Sequence, residues 1–168
     1  MERCGVEKFE IELYMGKWYE LAHYPSWFQH NDDYNTTAEY SLNSDGSVNI
    51  KNCTTNKGVE RCSYGKAVRM GNTSFRVDFS PREVSNLVNK GYKFEGSPIS
   101  DSEPNYVIMK LWYNCDGQYM YAVVSDNYRR QLYVLSRTPT PSPQHYSTIM
   151  QYVGENYDSS KLVQTPHY

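Results

Sequence analysis

Seventeen tyrosines and four cysteines are the residues of this chain with the most obvious chemistry. A phenol buried beside apolar surface needs a hydrogen-bond partner, so it orients a bound molecule more readily than it attacks one. Four cysteines without a C-x-x-C spacing favour disulfides over a metal or redox centre. Cysteine positions alone leave three pairings open. His23, His30, His145 and His167 are scattered, with no HxH or HExxH spacing to set two imidazoles on one ion. No metal or cofactor is therefore expected. No G-x-S-x-G elbow or other nucleophile motif occurs, so no residue is singled out as catalytic. Asp32-Asp33 reads as a solvated loop pair.

The elements that must position these groups are strands. Aromatics make up 15% of the chain, a composition that suits a pleated, half-buried surface. Gly16-Lys17-Trp18-Tyr19-Glu20 opens the first strand, which Pro25 ends. Strand-like segments follow at about 35–42, 47–53, 62–70, 75–79, 106–113, 118–125 and 131–137. Turn signals separate them, including Asp45-Gly46, Lys57-Gly58, Gly71-Asn72 and Asp116-Gly117. Ser142 and Pro143 start a helix whose Tyr146, Ile149, Met150 and Val153 share one face. The segment 161–164 can add a short final strand. Only 81–104 breaks the rhythm, as an ordered loop between the fifth and sixth strands.

A length of 168 residues fits one domain, with a strap at 1–15 and a helix at 142–156. Net charge is −2 with no basic run, which excludes a nucleic-acid footprint. Mean hydropathy is −0.76, and no apolar run approaches a membrane-spanning helix. Met1-Glu2-Arg3-Cys4 has no apolar leader, as would also be true of a processed secreted protein. Sequons at Asn35, Asn52 and Asn72 are compatible with secretion.

Gly16-x-Trp18, together with the run Gln131-Leu132-Tyr133-Val134-Leu135-Ser136-Arg137 near the other end, resembles the lipocalins. The likeness is closest to the group of bacterial outer-membrane lipocalins and apolipoprotein D. In that family the tryptophan closes one end of the barrel and an arginine stacks over it, roles that fall on Trp18 and Arg137. Asn114-Cys115-Asp116-Gly117 departs from the family's usual middle motif. The resemblance implies an all-β fold, an eight-stranded antiparallel up-and-down β-barrel with a C-terminal α-helix packed outside. It implies a non-enzymatic carrier of a small hydrophobic ligand such as a fatty acid or lysolipid. The rivals are an isomerase-like or de-epoxidase-like enzyme on the same barrel, and a protein-binding module acting through 81–104.

Strand alternation anchored on the family register points Glu20, Ala22, Tyr24, Ala38, Tyr40, Val48, Ile50, Phe75, Val77, Phe79, Tyr106, Ile108, Ala122, Val124, Tyr133 and Leu135 inward. Trp27 and Phe28 are expected at the mouth. The ligand is placed there too, between Tyr40, Phe79, Tyr106 and Tyr133. Glu20 is expected to be satisfied by a tyrosine or lysine. In the implied barrel Cys53 and Cys62 share one end and Cys4 and Cys115 the other, which gives the pairs Cys53–Cys62 and Cys4–Cys115. The expected setting is secreted or membrane-associated and extracytoplasmic, as a monomer or weak dimer. Peripheral membrane association is compatible with this picture.

Overall fold

The computed structural model describes residues 8–26, 29–79 and 103–168. A single helical turn, α1 (Ile11–Tyr14), leads into β1 (Gly16–His23). The sheet continues through β2 (Tyr34–Leu42), β3 (Val48–Asn56), β4 (Val59–Arg69), β5 (Ser74–Phe79), β6 (Tyr106–Tyr113), β7 (Tyr119–Ser125) and β8 (Leu132–Ser136). Helix α2 (Pro143–Asn156), a 3-10 turn at Ser159–Lys161 and the two-residue β9 (Val163–Gln164) complete the chain. Every neighbouring pair is antiparallel, and β1 bonds both β8 and β2. The eight strands therefore close into a barrel, which leaves no long free edge.

Turn chemistry sets the hairpins. Lys57 and Gly58 both take left-handed backbone angles (φ 51° and 79°), the two-residue turn that matches strand twist. That turn lets the β3–β4 ladder run unbroken from Val48↔Ala67 to Asn56↔Val59. The hairpin is thus longer than the sequence suggests. Cys53 and Cys62 do not flank a loop but sit opposite one another on the ladder, bonded with Cα atoms 4.1 Å apart. Cys115 is also disulfide-bonded. Its expected partner Cys4, and most of the 81–104 segment, lie outside the described residues.

Two apolar layers result. One fills the barrel around Trp18, Tyr40, Ile50, Phe75, Ile108 and Leu135, with Phe9, Ile11 and Tyr14 of the strap packed in from below. The other lies between barrel and helix, where Ile149 and Val153 of α2 meet Leu21, Tyr121, Val123, Leu132 and Val134. Ser142 caps α2 by accepting from the His145 amide, and Pro143 occupies the first turn.

A bulge in β1 corrects the expected alternation. Glu20 pairs with Leu135, but Ala22 pairs with Val134, so Leu21 is the inserted residue. Every side chain after it changes face. Ala22 and Tyr24, expected inside, join the helix-side layer, and the Tyr24 hydroxyl donates to the Asp158 carbonyl. His23, expected outside, lies opposite the inward Tyr133 and is fully buried.

Candidate functional site

The base of the barrel is built around Trp18. Its indole is fully buried, and the Arg137 guanidinium lies 3.8 Å from the ring centroid. Arg137 Nη1 donates to the Lys17 carbonyl, Nη2 to the carbonyls of Leu13 and Met15, and Nε to that of Tyr119. A planar fork of donors over an aromatic face is a role lysine cannot fill. Gly16 holds φ +99°, and a Cβ there would stand 3.4 Å from Arg137 Nη1. Trp18 Nε1 in turn donates to the Tyr14 carbonyl, which fixes the strap.

Above this plug three tyrosines meet. The hydroxyl of Tyr106 lies 2.6 Å from that of Tyr14 and 2.9 Å from that of Tyr40. Burial pushes the Tyr40 hydroxyl up to about 12 and holds Tyr14 and Tyr106 well above the ordinary tyrosine value. These groups stay neutral and serve as hydrogen-bonding points rather than nucleophiles. Beside them a pocket is walled by Tyr14, Met15, Tyr40, Val48, Ile50, Ala67, Phe75, Val77 and Tyr106. The pocket encloses about 260 Å³ of unfilled space, partly open to solvent.

A different chemistry occupies the far half of β1. Glu20 Oε2 accepts from Gln29 Nε2 (2.9 Å) and Thr165 Oγ1 (2.7 Å), and lies 3.0 Å from His23 Nδ1. Thr165 arrives on the C-terminal segment. Its amide donates to the Leu21 carbonyl, and the neighbouring Pro166 carbonyl accepts from Asn35. That segment spans the seam where β1 and β2 part company above Tyr19↔Thr37. Opposite His23, burial and then the charge of Glu20 raise the Tyr133 hydroxyl well above the usual tyrosine range.

A family model described as a lipocalin-like domain matches residues 9–167. The chain belongs to the lipocalin family. It is 32% identical to temperature-induced lipocalin-1 of Arabidopsis thaliana over 162 residues, 96% of this chain and 81% of that one. It is 29% identical to the outer membrane lipoprotein Blc of Escherichia coli K12, over 94% of this chain and 79% of the relative. Among solved structures, lobster apocrustacyanin A1 superposes with a TM-score of 0.62 at 18% identity, covering 92% of this chain and 78% of its own. The cockroach allergen Per a 4 gives 0.63 at 14% identity, over 98% and 95%. At such identities the two structures speak for the fold alone.

The sequence-derived wall of this lipocalin is placed unevenly. Ala38, Tyr40, Ile50, Phe75, Ile108, Val124 and Leu135 lie in the barrel layer, and Val77, Tyr106 and Tyr133 pack against it. Of the residues expected to face inward, Tyr40, Val48, Ile50, Phe75, Val77 and Tyr106 line the described pocket. Tyr40 pairs across the ladder with Gly16, so it belongs to the base and not, as expected, to the mouth. Phe79 ends β5 half-buried against Gly65 and does not line that pocket. Trp27 and Phe28 lie outside the described residues.

Glu20 is held by histidine, glutamine and threonine, not by a tyrosine or lysine. Alternation along β4 would have found Ala67, which was overlooked. Tyr14, with Phe9 and Ile11 an apolar strap residue expected beneath the end that Trp18 closes, packs there and also lines the pocket, whereas Met15 carries no such signal. Cys53, Cys62 and Glu60 cluster closely enough for a metal, but the two sulfurs are bonded to each other and offer no thiolate.

Proposed function

We propose that this lipocalin binds a small hydrophobic or amphipathic lipid in its barrel, and carries or stores it rather than transforming it. The observation that supports the reading is the pocket above Trp18, whose wall is apolar except for the linked hydroxyls of Tyr14, Tyr40 and Tyr106. Methylene groups entering such a space each contribute about 0.8 kcal/mol. Unbranched Met15, partly buried at the wall, can yield to a chain longer than the pocket now admits. Lipocalins are in general binding proteins, and the neutral tyrosines here supply no nucleophile. A secreted or membrane-associated extracytoplasmic setting accords with the Cys53–Cys62 bond and with the likeness to an outer membrane lipoprotein.

Displacement of the fluorescent probe N-phenyl-1-naphthylamine by lipids with chains of about 12–20 carbons tests this reading, each added methylene being worth roughly fourfold in affinity. Saturable displacement that Ala67→Phe abolishes, with the melting transition kept, is the expected result. Absence of any saturable uptake of probe or lipid by the wild type would overturn it.

A further inference from the structure

The polar group at the open half of β1 is not explained by packing. His23 is fully buried, Gln29 is 8% exposed and Glu20 4%. Yet His23 Nε2 and Gln29 Oε1 have no hydrogen-bond partner. Leaving such groups buried and unpaired is costly, so a folded protein keeps them where something else completes them. Their directions are set by their neighbours. Gln29 spends its amide N–H on Glu20, which leaves its carbonyl as an acceptor. His23 presents Nδ1 to the same carboxylate oxygen, and the tautomer with its hydrogen on Nδ1 offers Nε2 as an acceptor. His23 lies opposite Tyr133 and Glu20 opposite Leu135, both of them residues of the barrel interior.

The site is therefore rich in acceptors, and it is negative. Among the described residues no lysine or arginine bonds Glu20, His23 or Gln29. Arg61 is engaged with Asp33 and Arg130 with Asp126, and Arg137 seals the opposite end. The charges that bear on the Tyr133 hydroxyl in the same wall, Glu20 and Asp126, are both acidic.

We propose that Glu20, His23 and Gln29 form the recognition site for the polar group of the lipid, and that they select a neutral hydroxyl-bearing lipid over a free carboxylate. A hydroxyl donates to His23 Nε2 or Gln29 Oε1. A carboxylate brings no hydrogen and meets the Glu20 charge in a low-dielectric wall. The inference rests on the lipid-binding reading and names the ligand class within it.

The test is displacement of N-phenyl-1-naphthylamine from the full chain at about pH 8, where free carboxylic acids are ionised. 1-Monooleoylglycerol and sodium oleate share one acyl chain and differ in the head. Wild type is expected to bind the glyceride at least about tenfold more tightly, the worth of one hydrogen bond to a charge-supported group. Glu20→Gln removes the charge at constant shape and should bring the two within about twofold. Gln29→Met, which keeps the Glu20 carboxyl in place, should weaken the glyceride more than the oleate. Equal affinities in wild type, or a preference for the glyceride that survives both substitutions, would overturn the assignment while leaving lipid binding intact. A wild type that takes up no probe at all would overturn the lipid reading and this inference with it.

Discussion

The two ends of β1 contrast in how completely their polar groups are satisfied. At Trp18 every nitrogen of Arg137 ends on a backbone carbonyl, and the indole nitrogen ends on another. Two residues further on, Glu20 Oε2 accepts from Gln29 and Thr165 and faces His23, while His23 and Gln29 keep acceptors that nothing fills. The same strand thus carries a finished joint and an unfinished one. A finished joint stabilises the barrel, and an unfinished one costs stability that a ligand can return.

The largest effect should come from breaking the finished end. Arg137→Ala removes a cation–π contact and four hydrogen bonds from a charged donor, a loss of about 3 kcal/mol. Thermal unfolding should show a fall in Tm near 10 °C. The preference among lipid heads should stay as it was. An unchanged Tm with an altered preference would show that the two ends are not separate.

Next in size is the staple on the β3–β4 ladder. Converting Cys53 and Cys62 to serine opens a loop of 9 residues, for which the chain-entropy model gives about 2.5 kcal/mol. Urea unfolding measures it. Because Lys57 and Gly58 already close the hairpin, a loss well above that figure would mean the bond restrains more than its own turn.

Much of the barrel was legible before any coordinates. Period-2 patterning and Asp-Gly or Lys-Gly turns located all eight strands to within a few residues, because turn residues and alternation are local physics. What the sequence did not carry was the Leu21 bulge. One inserted residue moves Tyr24 from cavity to helix layer and His23 from outside to inside, and nothing in Glu20-Leu21-Ala22-His23 marks it. The apolar strap residues Phe9, Ile11 and Tyr14 were legible as packing under Trp18, but the reach of Tyr14 and Met15 into the pocket wall was not. Partners set by long-range contact, such as Thr165 on Glu20 across 145 positions, have no local signal.

The tyrosine cluster offers a smaller test. The folded-state values of Tyr14, Tyr40 and Tyr106 are raised above the unfolded value of about 10, so the native state keeps its phenol protons where the unfolded chain has lost them. Their contribution is complete below pH 10 and is lost as pH climbs from about 10 through about 12, where Tyr40 ionises. Tyrosinate absorbance should rise together with unfolding in that window. Tyr106→Phe removes the hydroxyl that links the other two and should cost about 1 kcal/mol at neutral pH. Phenols that titrate near 10 in the intact fold would contradict their placement.

The most direct measurement of the central claim is native mass spectrometry of the delipidated protein after mixing with 1-monooleoylglycerol. Binding in the barrel should give a 1:1 adduct in the wild type and none in Ala67→Phe, whose added ring fills the pocket beside Phe75 and Val77. An adduct that persists in Ala67→Phe, or no adduct with any lipid in the wild type, would contradict it.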